Sequence, residues 1–124
     1  MSITPYYEIP QLKDLLLEDS YLLAMETTDS SVEMTIEAAL TKEHPLYQSP
    51  KPDKQYCYLH LRISFLHAHD VQWLNKNMKL RPGIDTPPDY GEVDALYLEN
   101  GKYHIVGEWG ELIFISDPPT VAAA

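Results

Sequence analysis

Two segments with a period of two constrain the fold of this chain more than any other feature. In residues 32–40 (VEMTIEAAL) every even-numbered position is apolar, and in residues 57–65 (CYLHLRISF) every odd-numbered position is apolar. Successive side chains of a strand point to opposite faces, so this period predicts a strand with one face in the core. Both segments are therefore predicted to be half-buried strands.

Turn residues predict two hairpins, one that includes the first of these segments and one nearer the C-terminus. Residues 21–28 (YLLAMETT) are joined to the first segment by a DSS turn, which predicts an antiparallel pair. Nearer the C-terminus, residues 93–99 (VDALYLE) are followed by Asn100-Gly101 and then by residues 102–109 (KYHIVGEW). Asn and Gly accept the positive φ angles of a type I′ turn, so this is the strongest hairpin signal in the chain.

Shorter apolar runs complete the prediction of the fold. VQWL and ELIFIS read as further strands, whereas Leu12, Leu15 and Leu16 have helical spacing after Pro10. Strands do not alternate with long helical patterns, which argues against a parallel sheet. We therefore expect a mainly β protein, an antiparallel sandwich or open barrel of six to seven short strands with one short N-terminal helix. A β-rich α+β fold is the alternative, and strand order stays open.

The length of the chain predicts a single domain over residues 1–124, with residues 120–124 as a frayed tail. Two proline-rich loops, 41–55 and 75–90, separate the predicted strands. They carry six basic residues, which would form a basic spot if the loops meet, although a solvated pair of loops is the default expectation. Six of the nine tyrosines also lie in or beside loops, where they suit protein recognition as well as ordinary strand caps.

The net charge of −10 is distributed unevenly. Residues 1–40 hold eight acidic and one basic residue, residues 41–84 hold three and seven, and residues 85–124 hold eight and one. Acidic flanks repel nucleic acid and anionic membranes, so neither is expected as a partner, and a basic protein is favoured. The residues predicted to bind such a partner are Glu92, Asp94, Glu108 and Glu111.

The segment HAHD raises the question of a metal site. His67 and His69 are two residues apart and Asp70 follows, so the three could serve a metal-dependent barrel enzyme together with other histidines. The glutamate and the late histidine motif of such barrels are missing here, and a turn is the favoured interpretation. Because no nucleophile motif or phosphate-binding glycine loop occurs either, no catalytic residue, metal or cofactor is predicted.

The single cysteine, Cys57, excludes an internal disulfide and agrees with a reducing compartment. The N-terminus lacks a basic start followed by an apolar stretch, so no secretion signal is predicted. A cytoplasmic location is the resulting expectation.

HPLYQSP, CYLHLRISF and GEWGELIFIS together resemble small bacterial β-rich domains, including immunity-type proteins that neutralise a toxin. The resemblance covers about the last two thirds of the chain and rests on its general pattern. It implies a cytoplasmic binding module without catalytic activity, and no site residue is transferred from it. We therefore expect a non-enzymatic acidic protein-binding module; a small-ligand carrier with a pocket between its sheets is a further alternative.

Overall fold

The structure of the protein, a computed structural model, describes residues 2–83 and 87–124. Its strands are β1 (Ile3–Pro5), β2 (Leu15–Thr27), β3 (Ser31–Leu40), β4 (Cys57–Leu66), β5 (His69–Leu74), β6 (Val93–Glu99), β7 (Lys102–Gly107), β8 (Gly110–Ile115) and β9 (Thr120–Ala123). They form a five-stranded sheet in the order β1-β6-β7-β8-β5 and a four-stranded sheet in the order β2-β3-β4-β9. All described pairings are antiparallel.

The mainly β, antiparallel architecture predicted from the sequence is confirmed, and it is a sandwich. Within the described residues, the two sheets pack face to face and do not close into a barrel. No helix in this part of the chain is long and apolar enough to cross a membrane.

The core lies between the two sheets and follows from the period of two. Val32, Met34 and Ile36 of β3 are all completely buried. From the next strand, Phe65 packs edge-to-face against Phe114 of β8, with ring centroids 5.0 Å apart. This aromatic contact joins the two sheets, and such pairs add to the stabilisation from apolar burial.

The predicted N-terminal helix is wrong. The helical residues at this end are a single 3-10 turn, Tyr6–Glu8, and Leu15 already begins β2. Leu12 is buried by the turn before the strand, whereas Leu15 and Leu17 alternate into the core. Of the three leucines with helical spacing, Leu15 and Leu16 therefore lie in a strand and Leu12 in the turn before it, and an isolated helix of this length would be marginal in water.

A β-bulge in β2 depends on one buried serine. The register between β2 and β3 shifts between Leu16 and Tyr21. Ser20, the buried polar residue at this shift, donates from Oγ to the carbonyl oxygen of Leu16 at 2.7 Å and accepts from the backbone N–H of Ala39 at 2.9 Å. The hydroxyl thus replaces ladder hydrogen bonds that the bulge removes.

The end of the chain is ordered into a sheet, in contrast to the frayed tail expected for residues 120–124. Thr120–Ala123 form β9, which pairs with β4 so that Val121 lies opposite Ile63. The backbone N–H of Ala124 also donates to the carbonyl oxygen of His60 at 3.0 Å. The small alanine side chains of this strand show no periodic pattern in the sequence, because the pairing is made by backbone groups.

The predicted hairpin at Asn100-Gly101 is confirmed. Both residues have positive φ, 53° and 78°, and Glu99 pairs with Lys102 across the turn. This local signal places β6 and β7 side by side, as the turn chemistry requires.

Candidate functional site

The HAHD segment lies at a corner where the chain passes from the four-stranded to the five-stranded sheet. His67 and Ala68 alone connect β4 to β5, which begins at His69. His67 has a φ of 56°, and its Nδ1 lies 2.6 Å from Oδ2 of Asp117 in the neighbouring corner after β8. The turn predicted for this segment is therefore present, but it comprises only His67 and Ala68.

The three candidate metal ligands have other neighbours. His67 contacts Asp117, Nδ1 of His69 lies 3.2 Å from the carbonyl oxygen of His67, and Asp70 is exposed. Across residues 2–83 and 87–124, no three His, Cys, Asp or Glu side chains are grouped as a metal ion requires. The metal-dependent enzyme alternative therefore gains no support from this geometry.

The structure places the predicted partner-binding residues at one end of the β6–β7–β8 meander. These residues are Glu92, Asp94, Glu108 and Glu111. Glu108 is ion-paired with Arg81, and Oε2 of Glu111 lies 3.4 Å from Nδ1 of His104. None of the four lines the clefts described below, so the residues predicted from the sequence and the clefts occupy different parts of the surface.

The two proline-rich loops meet over the outer face of the four-stranded sheet and enclose a cleft of about 400 Å³. The residues that line it are Tyr21, Glu37, Asp53, Lys54, Gln55, Tyr58, Pro82, Gly83 and Asp89. We call it the acidic cleft, because three carboxylates face one lysine. Both loops contribute residues to this cleft, Asp53, Lys54 and Gln55 from the first and Pro82, Gly83 and Asp89 from the second.

Backbone hydrogen bonds hold Asp89 at the acidic cleft. Its backbone pairs with that of Arg81 at 2.6 and 3.1 Å, and its Oδ1 accepts from the N–H of Gly91 at 2.7 Å. The next residue, Tyr90, donates to the carbonyl oxygen of Leu22 at 2.8 Å. The end of the second loop is thereby attached to β2, beside Tyr21.

A second cleft of about 290 Å³ adjoins the first and shares Glu37, Lys54 and Tyr58 with it. We call it the proline cleft. Its other lining residues are Gln48, Ser49, Pro50, Lys51, Tyr56, Cys57 and Pro87. Two lysines face one glutamate here, so the charge along the surface changes sign from one cleft to the next.

A row of three tyrosines crosses both clefts. Tyr58 lies in the middle, with its ring centroid 6.4 Å from that of Tyr21 and 6.1 Å from that of Tyr56. The Tyr56 and Tyr58 rings are nearly perpendicular, at 87°. Such a row presents ring faces and edges with grooves between them.

Burial and nearby negative charge keep these tyrosines protonated. Burial, followed by the carboxylates of Glu92 and Asp89, raises the pKa of Tyr21. Burial also raises the pKa of Tyr58 to about 12, with Tyr21 and the carboxylate of Asp19 adding to the effect. Burial raises the pKa of Tyr56 as well, together with the carboxylate of Asp19, to which its hydroxyl is hydrogen-bonded.

The basic spot considered for the two loops does not form. Lys51 and Lys54 line the clefts, but Arg81 is paired with Glu108 and the Nζ of Lys76 lies 4.9 Å above the ring of Trp73. Lys76 and Arg81 of the second loop are thus directed to other contacts, and Asp89 of the same loop lines the acidic cleft.

Sequence reasoning missed Glu37 and Asp89 as members of a site. Glu37 resembles any solvated position of an alternating strand, and its Oε2 does lie 3.2 Å from Nε2 of His60. Asp89 is one acid in a proline-rich loop. The sequence signal nearest to this site is the pair of tyrosines at 56 and 58, at the start of the second alternating segment.

Comparison of the chain with protein-family models, with curated proteins and with solved structures finds no match.

Proposed function

We propose that the protein is a non-enzymatic binding module that holds a basic segment of a partner protein in its acidic cleft. The observation that carries this proposal is the convergence of Glu37, Asp53 and Asp89 around Tyr21 and Tyr58 in one cleft. Carboxylates attract a lysine or arginine side chain, and aromatic rings add cation–π attraction. A concave site with both groups suits a cationic side chain better than a catalytic step.

The charge of the whole molecule supports the same partner. A net charge of −10 steers a basic protein toward the surface and raises its association rate. Neutralisation of a basic toxin, as the resemblance to immunity-type domains implies, is the cellular role we propose. In that role the cleft determines which partner binds, while the acidic flanks raise the association rate.

The location of binding can be tested with a short oligoarginine peptide as the probe. Amide NMR spectra of the protein should shift first at Tyr21, Glu37, Tyr58 and Asp89. Because the contact is electrostatic, the shifts should shrink as added salt shortens the Debye length from about 10 Å at 0.1 M to about 3 Å at 1 M.

Two outcomes would contradict this assignment. Shifts spread evenly over all acidic residues would show general polyelectrolyte attraction, without a site. Shifts centred on Glu108 and Glu111 would place the contact at the end of the meander and leave the cleft without this role.

A further inference from the structure

One histidine, His60, contacts a carboxylate that lines the clefts. Its Nε2 lies 3.2 Å from Oε2 of Glu37, which lines both of them. The two residues are opposite each other in the β3–β4 ladder, and the side chain of Glu37 is 17% exposed against 45% for His60. The imidazole therefore lies at the border of the site. The contacts of the other four histidines are to residues that line neither cleft; these are His44, His67, His69 and His104.

The other charged or titratable groups around this pair belong to residue types that do not titrate near neutral pH. They are Asp19 and Tyr21 of β2, Glu33 of β3, Tyr58 and Arg62 of β4, and Asp53, Lys54 and Asp89 of the two loops. On the other side of His60, β9 carries no titratable side chain. Carboxylates, lysine, arginine and tyrosine ordinarily keep their charge state between about pH 5.5 and 7.5, whereas histidine changes its own.

From this geometry we infer that His60 acts through Glu37 as a positioning residue that makes binding in the acidic cleft depend on pH. Neutral His60 leaves the negative charge of Glu37 to the ligand, and protonated His60 neutralises that charge. The imidazolium then competes with the lysine or arginine of the ligand for the same carboxylate. This inference rests on the proposed function and names the regulation of its site.

A cationic ligand in the cleft and a proton on His60 disfavour each other. Binding therefore expels a proton wherever free His60 carries one, and by linkage the affinity rises with pH across the histidine range. A charge pair near the surface changes affinity by up to about fivefold, which corresponds to about 1 kcal/mol. The ligand is thus held at neutral pH and released as the solution becomes mildly acidic.

Calorimetry of the full chain with the oligoarginine probe measures this dependence, because the charge of arginine is constant over the range. Between about pH 7.5 and about pH 5.5 the affinity should fall about fivefold. Titrations in two buffers of different ionisation enthalpy, at about pH 6.5, count the protons that binding releases. In about 0.15 M salt the Debye length is about 8 Å, so histidines remote from the cleft contribute little.

Protein variants assign the effect to one side chain. His60→Gln keeps a hydrogen-bonding group beside Glu37 but cannot become charged. It should bind as the wild type does at neutral pH, lose most of the fall in affinity at acidic pH and release no proton. His67→Gln, the matched change directly after the other end of β4, where His67 contacts Asp117, should keep the wild-type pH profile. Amide spectra of each variant establish that it is folded before binding is measured.

The outcomes separate this inference from the proposed function. If the wild type and His60→Gln lose affinity in parallel as the pH falls, His60 does not control the cleft and the inference is overturned. Binding at neutral pH that depends on Asp89 then still supports the basic contact. If the probe does not bind the wild type at neutral pH, the inference and the proposed function both fail.

Discussion

Single residues determine how closely the strands of this protein approach one another. Gly107 pairs with Gly110 at the end of β7, and the indole of Trp109, completely buried, lies across its Cα. A Cβ at position 107 would overlap that indole. Packing therefore requires glycine at position 107. At Gly101 a Cβ would meet no heavy atom within 4 Å, and the constraint there is the positive φ of 78°.

We expect Gly107→Ala to lower the free energy of unfolding by about 1–3 kcal/mol, because the indole must leave its packed position. Gly101→Ala serves as the matched control and should cost about 1 kcal/mol through backbone strain alone. Urea unfolding of both variants gives the comparison. A loss for Gly107→Ala smaller than that for Gly101→Ala would contradict this expectation and show that the indole moves aside at little cost.

At the scale of single elements, the accuracy of the sequence prediction depended on how local the signal was. The Asn100-Gly101 hairpin and the alternation of β3 and β4 are set by neighbouring residues, and both were predicted. β9 was missed because its partner is decided by backbone hydrogen bonds to a strand that lies far away in the chain. The leucines before and within β2 were misread because one apolar pattern can serve a helix or a bulged strand.

The bulge in β2 gives a prediction at this scale. Ser20→Ala should lower the free energy of unfolding by about 1–3 kcal/mol, because the backbone N–H of Ala39 would be left buried without an acceptor. Ser64→Ala, on the outer face of β4 with only a 3.5 Å contact to Glu33, should have little effect. Chemical unfolding measures both. A loss at Ser64 equal to that at Ser20 would contradict the role of the bulge.

At the scale of the whole molecule, the candidate site is built from segments that the sequence cannot bring together. Tyr21, Glu37, Tyr58 and Asp89 come from three strands and one loop, and only the order of the strands makes them neighbours. The acidic flanks led only to the expectation of a basic partner. The position of the cleft could not be predicted from the sequence, because it depends on where the two loops fold.

The buried tyrosines predict how stability depends on alkaline pH. Tyrosine in the unfolded chain has a pKa of about 10, whereas the pKa of Tyr58 in the fold is raised to about 12. Between these values the unfolded chain binds fewer protons than the native state, so the free energy of unfolding falls as pH rises. The contribution is fully present below about pH 10.

Urea unfolding of the wild type and of Tyr58→Phe across this range measures the effect. The variant has no hydroxyl to ionise, and its stability should fall less steeply than that of the wild type. Parallel curves would indicate that Tyr58 ionises as freely in the fold as in the unfolded chain.

The central claim is that the carboxylates of the acidic cleft, and not the net charge alone, bind a basic segment. Asp89→Asn and Asp29→Asn remove the same charge, the first from the cleft and the second from the exposed turn between β2 and β3. Calorimetry of both variants with the oligoarginine probe compares them directly. The account predicts that affinity falls about tenfold for Asp89→Asn and stays near the wild-type value for Asp29→Asn; equal losses for the two variants would contradict it.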